Sequence, residues 1–111
     1  MTPRLRRIGD AVEFHSAGHT GVHPFRLAGV ESDESVSVVL SRYEPGGHAD
    51  RSRLGLDTTY VVLTGELTIT LDNETIELTE LDSLFLPSGT ERAVDNLAEE
   101  SASLLVIRPN Q

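Results

Sequence analysis

Apolar residues recur along this chain in short runs, each bounded by polar or turn-forming residues. Residues 67–71 alternate strictly between aliphatic and threonine side chains, and residues 35–44 carry valine, leucine and tyrosine on both faces. Alternation of this kind is typical of β-strands that are buried on at least one side. The same patterning predicts further short strands at residues 11–14, 58–63, 75–78, 82–86, 92–94 and 103–107.

Turn-forming residues separate these strands. Pro45-Gly46-Gly47 is predicted to end the strand at 35–44, and Gly65 is predicted to force a sharp reversal of the chain. Asp72-Asn73 fits a short hairpin turn, because both side chains tolerate positive φ. No segment has the pattern of an amphipathic helix. Many short strands at a spacing of roughly 8–12 residues indicate an all-β sandwich or barrel.

Three of the four histidines lie in residues 15–24. The spacing of His15, His19 and His23 would place all three on one face of a helix. Two glycines inside the segment and Pro24 directly after it oppose a helix. We therefore predict a loop that leads into the next extended segment.

The chain has the length of one domain, at 111 residues. We divide it into an N-terminal arm with short strands and the histidine-containing loop, residues 1–35, and a β-barrel, residues 36–111. Residues 1–15 are predicted to form an edge that pairs with a partner or covers the sheet. A homodimer is expected, because a second subunit would bury apolar surface that a small domain leaves exposed.

The net charge is −9, from 18 acidic residues against 9 basic ones, and every basic residue is arginine. This balance argues against nucleic acid as a partner and against an anionic membrane surface. Cysteine is absent, which excludes disulfides, thiolate nucleophiles and cysteine-ligated metals. No apolar run approaches the roughly 20 residues of a membrane span, and no apolar segment follows the N-terminal arginines as a signal peptide requires. We expect a cytoplasmic protein.

Two punctuated stretches, residues 45–67 and 81–96, resemble the paired sequence motifs of the cupin superfamily, whose members are small antiparallel β-barrels. Gly46 and Gly65 match the opening and closing glycines of the first motif. The conserved turn residues of the second motif are matched by Pro87, Gly89 and Asn96. The resemblance covers residues 36–107 and implies an antiparallel cupin-type β-barrel, a double-stranded jelly roll.

Cupins hold iron, manganese, nickel or zinc through histidines and a glutamate, and this sequence differs at each ligand position. An alignment without gaps places Ser52, Leu54 and Thr58 at the three metal-ligand positions of the first motif. It places Arg92 at the metal-ligand position of the second motif. Leucine has no donor atom and arginine stays protonated, so neither can ligate a metal. The resemblance therefore implies a barrel that lacks the standard cupin metal, and no cofactor is expected.

Arg92 is predicted to point into the barrel cavity from its former ligand position. A buried arginine must be paired or must bind something, and its planar guanidinium suits a carboxylate or a phosphate. We expect Arg92 to bind the anionic group of a small ligand. The alternative is a structural ion pair with Glu91, Asp95 or another acidic residue at the rim of the barrel.

The wall of the same cavity is predicted from strand parity. Ser52, Leu54, Thr58 and Tyr60 share the parity of the former ligand positions and should contact a ligand; alternatively they simply fill the barrel interior. Tyr60 could donate a hydrogen bond or act as a weak general acid. His48 lies four residues before Ser52 on the same parity and is the second candidate for proton transfer.

The leading hypothesis is an enzyme that acts on a small polar or anionic metabolite by proton transfer, as an isomerase, tautomerase, cyclase or lyase. Arg92 would hold the substrate, and Tyr60 and His48 would be catalytic. One alternative is a non-catalytic protein that binds a small molecule. Another is a metal-dependent oxygenase or decarboxylase whose unusual ligands include His48, Asp50 and a histidine of residues 15–23.

Overall fold

The computed structural model describes residues 2–111 and contains almost only β-structure. A short 3-10 helix, Ile8–Asp10, precedes the strands. The strands are β1 His19–Ala28, β2 Val36–Arg53, β3 Thr58–Thr64, β4 Leu67–Thr70, β5 Thr75–Leu78, β6 Ser83–Leu86, β7 Glu91–Asp95 and β8 Ala102–Pro109. The predicted all-β class is confirmed.

All eight strands belong to one antiparallel sheet that curves into a nearly closed barrel. Seven strands follow the order β5-β4-β7-β2-β8-β3-β6, and β1 pairs along β2. The long strand β2 is central to this arrangement, because its first half pairs with β8 and its last residues pair with β7. The predicted antiparallel jelly-roll barrel is confirmed.

Pro45-Gly46-Gly47 does not end a strand, contrary to the sequence prediction. β2 continues through it to Arg53, and the register with β1 shifts at this point. Gly46 has a φ of +80°, and a Cβ on Gly47 would lie 2.6 Å from the carbonyl oxygen of Gly21. The two glycines therefore form an irregularity inside a long strand, where two backbones approach more closely than side chains would allow.

The predicted loop at residues 15–24 is also wrong in its second half, because β1 already begins at His19. Gly18 and Gly21 adopt positive φ angles of 73° and 64° at the entry to the strand and at its register shift. Glycine lowers strand propensity, but here it supplies the conformations that let the strand bend. The boundary drawn at residue 36 stays a prediction, although β1 lies before it and belongs to the same sheet.

The predicted hairpin at Asp72-Asn73 is present between β4 and β5, where the Leu71 amide donates to the Glu74 carbonyl at 2.8 Å. The predicted reason for it is wrong. Within residues 2–111, Leu81 is the one non-glycine residue with positive φ. The turn therefore forms without the left-handed conformation that Asp and Asn tolerate.

The core lies between the walls of the barrel and is built from inward-facing aliphatic side chains. Leu67 and Ile69 are buried while Thr68 and Thr70 are only partly so, which confirms the alternation predicted for β4. Full burial of one such aliphatic side chain stabilises the fold by about 1.5–3 kcal/mol.

The part of the chain that the structure describes, residues 2–111, contains no helix with the length and apolar character of a membrane span.

Gly65→Ala is expected to lower the free energy of unfolding by about 2–5 kcal/mol, the sum of a left-handed backbone penalty and overpacking. Gly65 has a φ of +77°, and a Cβ there would lie 2.7 Å from the Ser101 carbonyl oxygen and 2.9 Å from Ala102 Cα. Urea unfolding followed by circular dichroism measures the change. Gly55→Ala is the control, since a Cβ at Gly55 meets nothing within 4 Å. A Gly65→Ala variant as stable as this control would contradict the prediction.

Candidate functional site

A cavity of about 130 Å³ lies inside the barrel. Alternate residues of β2 form one wall of it, because successive side chains of a strand point to opposite faces. The remaining lining comes from the arm and from strands β1, β3, β7 and β8. The lining side chains are Phe14, Ser16, His19, Pro24, Arg26, Ser37, Val39, Ser41, Tyr43, Tyr60, Arg92, Val106 and Arg108. An engineered cavity of roughly 150 Å³ holds benzene, so this volume suits a ligand of comparable size.

Arg92 is buried inside this lining with 4% of its surface exposed. Its Nε donates to the Tyr60 hydroxyl at 2.8 Å, and its Nη1 donates to the Asp50 carbonyl and to Ser52 Oγ, each at 3.0 Å. All three acceptors are neutral. The guanidinium therefore enters the cavity as predicted, with its charge uncompensated by these contacts.

The predicted alternative, an ion pair of Arg92 with Glu91 or Asp95, does not form. Glu91 pairs with Arg51 at 3.2 Å and with Arg53 at 3.1 Å, outside the cavity. Asp95 accepts from His48 Nδ1 at 2.6 Å. Both side chains lie on the opposite face of β7 from Arg92, because neighbouring residues of a strand point to opposite sides. Their charge is thus directed away from the cavity.

Two N–H groups of Arg92 remain for a ligand. A guanidinium carries five N–H donors, and Nε and Nη1 use three of them. Within residues 2–111, Nη2 makes no hydrogen bond, whereas every fully buried side-chain nitrogen or oxygen has a hydrogen-bond partner. Nη2 therefore faces accessible space, and that space is the cavity.

Two further arginines line the cavity. Arg108 donates from Nε to Thr58 Oγ1 at 3.2 Å. Arg26 donates from Nη1 to Ser37 Oγ at 3.1 Å, and its guanidinium carbon lies 5.0 Å from the centre of the Phe14 ring. Neither forms an ion pair within residues 2–111, and no described lining residue is acidic. The cavity is therefore cationic, although the protein as a whole carries a charge of −9.

Two tyrosine hydroxyls complete the polar lining. Tyr60 accepts from Arg92, which leaves its own hydroxyl hydrogen available for another acceptor. Tyr43 is 2% exposed, and its burial raises its pKa, so it is a neutral hydrogen-bond donor over the physiological range. Both hydroxyls can donate to an oxygen that gains negative charge.

His19 is the titratable group of the cavity that the sequence prediction missed. Its Nδ1 lies 2.9 Å from the Ala17 carbonyl. A carbonyl only accepts, so Nδ1 carries the hydrogen and the neutral ring keeps the lone pair on Nε2. His19 pairs with Ala49, whose side chain faces the core, which places the imidazole on the inner side of β1. A general base is thus available at the cavity wall.

His15 and His19 line one surface hollow, but His15 and His23 do not join His19 in the cavity. His23 lies on the outer face of β1, with Nδ1 2.9 Å from Glu13 and Nε2 2.6 Å from Glu44. The hydrogen bond with Glu13, and then the one with Glu44, raises the His23 pKa. His15 is exposed and does not line the cavity. The three histidines therefore form no common site.

His48 lies on the outer face of β2, and its predicted parity with Ser52 is wrong. Ala49 pairs with Val94 and Ser52 pairs with Arg92, so an extra residue on β2 shifts the register between them. This bulge reverses the parity. His48 instead contacts Asp95 through Nδ1 and Asp50 through Nε2, at 2.6 and 3.0 Å. It does not line the cavity with Tyr60.

The other predicted contact residues support the cavity rather than line it. Ser52 and Thr58 accept hydrogen bonds from Arg92 and Arg108, respectively, and so orient the two guanidinium groups. Leu54 is buried in the apolar core. Contact of these three residues with a ligand stays a prediction.

The donor set does not fit the metal that the resemblance implies. Of the four former ligand positions, Leu54 packs in the core and Arg92 donates hydrogen bonds. The unusual ligand set predicted around His48 is not assembled either. Among residues 2–111, no group of three or more histidines and carboxylates is arranged to hold a metal ion.

His48→Gln is expected to destabilise the protein at pH 6 by less than about 1 kcal/mol, because the His48 side chain is 38% exposed. The hydrogen bond with Asp95 raises the pKa of His48 above its ordinary value. The stabilisation is therefore complete below the unfolded pKa and lost as pH rises through the folded pKa. Urea unfolding at pH 6 and pH 9 tests this, with the exposed His15→Gln as control. An equal loss at both values would contradict the assignment.

Comparisons with known proteins agree with this fold. The family model described as Cupin domain matches residues 39–108. The beta-D-galactosidase Rv1717 of Mycobacterium tuberculosis is 38% identical over 105 residues, covering 93% of this chain and 90% of that protein. The polyketide cyclase RemF of Streptomyces resistomycificus superposes with a TM-score of 0.84 at 17% identity, covering 100% of this chain and 81% of that one. A cupin superfamily protein of Desulfitobacterium hafniense gives a TM-score of 0.70 at 25% identity, covering 98% and 94%.

Proposed function

Since the chain belongs to the cupin superfamily, a fold that hosts unrelated reactions, we propose its function from the cavity: it is an enzyme that acts on a small anionic metabolite by proton transfer. The observation that carries this proposal is Arg92, a buried cation with two N–H groups directed at a cavity without carboxylates. A buried charge without a counter-ion is costly. A ligand anion would supply the missing partner.

The proposed reaction begins with removal of a proton next to a carbonyl group. His19 Nε2 takes the proton, the C–H bond breaks, and its electron pair moves onto the carbonyl oxygen. The hydroxyls of Tyr43 and Tyr60 donate hydrogen bonds to that oxygen, while Arg92 holds the anionic group of the substrate. Return of the proton to a different atom completes an isomerisation or tautomerisation, and loss of a leaving group instead completes an elimination. Positioned acid–base groups contribute roughly 10²–10⁴-fold to such steps.

A second candidate is the hydrolysis of a glycoside, which the 38% identity with a protein named beta-D-galactosidase favours. Most glycosidases use two carboxylates beside the scissile bond, and no described lining residue provides one. A tyrosine nucleophile, as in sialidases, is the variant that this lining could support. Tyr43 and Tyr60 would then be the candidates.

The test combines binding with a measurement of proton exchange. Small carboxylates and sugar phosphates are titrated by calorimetry, and those that bind are incubated with enzyme in D₂O while proton NMR follows loss of C–H signals. We expect His19→Gln to slow exchange at least about 100-fold and to leave binding nearly unchanged, because glutamine can still donate to the Ala17 carbonyl. His15→Gln, outside the cavity, is the control.

If none of these anions binds, the proposal is wrong. If anions bind without exchange or turnover, the protein is a non-catalytic binder of small molecules, the first alternative predicted from the sequence. The second candidate would be favoured if the protein hydrolyses nitrophenyl β-galactoside, if Tyr43→Phe or Tyr60→Phe slows this hydrolysis, and if His19→Gln does not.

The predicted homodimer also remains to be tested. Leu5, Val12 and Val30 are exposed apolar side chains that line a hollow of about 560 Å³ beside the arm. Burial of these side chains by a second subunit would stabilise the pair. Light scattering coupled to size-exclusion chromatography measures the mass directly, and a monomer of 12.1 kDa would contradict the prediction.

A further inference from the structure

We propose that the ligand of this cavity carries two anionic groups on a short skeleton, one bound at depth by Arg92 and the other at the mouth by Arg26 and Arg108. This inference rests on the proposed function and narrows its substrate class to short dianions. Dicarboxylates and phosphorylated carboxylic acids share this chemistry.

The three guanidinium groups of the cavity lie at different depths. Arg92 is 4% exposed, Arg108 is half-buried and Arg26 is exposed, yet all three line the same cavity. The cavity therefore presents positive charge both at its floor and at its opening. One carboxylate on a small molecule cannot contact both levels in the way that two separated groups can.

The cavity arginines are anchored near opposite ends of β2. Arg108 pairs directly with Ser37, and Arg26 donates to the Ser37 hydroxyl from the other side of β2. The two arginines thus flank Ser37 at the start of β2. Arg92 pairs with Ser52, close to the opposite end of the same strand. Two cationic positions are built independently and converge on one volume.

The arginines outside the cavity differ from these three in their partners. Four of them form ion pairs with carboxylates, and all four lie outside the cavity: Arg4, Arg6, Arg51 and Arg53. The three cavity arginines have only neutral or aromatic partners within residues 2–111. Like charges in one small cavity repel each other. A dianion offsets this repulsion better than a monoanion does.

The arginines at the mouth are also held in place before a ligand arrives. Arg26 lies over the Phe14 ring and donates to Ser37, while Arg108 donates from Nε to Thr58. Each contact leaves N–H groups on the guanidinium for a ligand. The enclosed volume of about 130 Å³ limits the skeleton to a few carbon atoms.

The test compares dicarboxylates with their half-amides, which have nearly the same shape and one charge fewer. Malonate, succinate, glutarate and adipate are each titrated against the matching monoamide by calorimetry, at constant ionic strength. We expect one of the shorter dicarboxylates to bind at least about 10-fold more tightly than its monoamide. Arg26→Gln and Arg108→Gln should remove this preference, and Arg92→Gln should weaken both compounds.

Arg42→Gln is the matched control, because Arg42 also lacks an ion pair within residues 2–111 but stacks on Phe25 outside the cavity. Equal binding of a dicarboxylate and its monoamide would overturn the dianion while the proposed function survives. If no member of this series binds and the wider set of carboxylates and sugar phosphates also fails, both proposals fall. Circular dichroism verifies that each variant is folded.

Discussion

Asn96→Ala is expected to lower the free energy of unfolding by about 3–5 kcal/mol, because each buried polar group left unsatisfied costs roughly 1–3 kcal/mol. Asn96 is completely buried. Its Nδ2 contacts the carbonyl oxygens of Tyr43, Glu44 and Glu100 at 2.8–3.2 Å, and its Oδ1 accepts from the Ala98 amide at 3.0 Å. Alanine would leave these groups without partners and would leave a cavity in their place.

The hydrogen bonds of the Asn96 side chain reinforce main-chain contacts at the same place. The main chain of Asn96 also accepts from the Gly46 amide and donates to the Gly47 carbonyl, each at 2.9 Å. Side chain and main chain together fasten the irregular part of β2 to the segment after β7. Alanine would keep the two main-chain bonds and remove those of the side chain, so the expected loss comes from the side chain alone.

Urea unfolding followed by circular dichroism measures the loss. Asn96→Asp separates hydrogen bonding from shape, because aspartate has a similar volume but no N–H groups to donate; we expect it to destabilise at least as much as alanine. Asn73→Ala, in the exposed turn between β4 and β5, is the control and should change stability by less than about 0.5 kcal/mol. A loss below about 1 kcal/mol for Asn96→Ala would contradict the assigned role.

The strands that the sequence predicted correctly are those whose local pattern and tertiary setting agree. In β4, Leu67 and Ile69 alternate with threonine and are buried, so period-two patterning is sufficient to find the strand. The start of β1 was not predicted, because Gly18 and Gly21 are typical of loops when only the local sequence is considered. Only pairing with β2 turns these glycines into a strand entry and a bulge, and that pairing is not visible from local sequence.

The residues of the candidate site were also predicted correctly only where the strands are regular. Arg92 was predicted to enter the cavity from its place in the second motif, and Tyr60 from its parity with the former ligand positions; both line the cavity. Arg108 lies on the same face of β8 as Leu104 and Val106, so strand parity could have added it to the candidates. Arg26 lies beyond a register shift, and no parity argument reaches it.

The histidines show how one extra residue in a strand changes which side chain faces the cavity. A bulge in β2 between Ala49 and Ser52 turns His48 outward, where it pairs with Asp95. The strand that replaced the predicted loop carries His19 to the cavity wall instead. The sequence predicted a histidine at the cavity, but which histidine lies there depends on bulges that leave no clear local signal.

Arg92→Met is expected to weaken binding of small anions at least about 30-fold, while the stability of the ligand-free protein stays within about 1 kcal/mol or rises. Loss of a buried charged partner typically weakens a complex by roughly 2–5 kcal/mol. In the ligand-free protein, replacing an uncompensated buried charge by an apolar side chain of similar size is often neutral or stabilising. The loss of three hydrogen bonds to Tyr60, Asp50 and Ser52 limits this gain.

The combination of these two effects distinguishes a binding group from a structural one. Calorimetry with small carboxylates and urea unfolding without ligand are measured on the same preparations. Arg53→Met is the control, because Arg53 pairs with Glu91 on the outside of the barrel; it should leave anion binding unchanged. A variant of Arg92 that unfolds far more easily yet binds anions normally would make this arginine a structural residue. Unchanged stability with lost binding would mean that the protein tolerates a buried charge for the sake of its ligand.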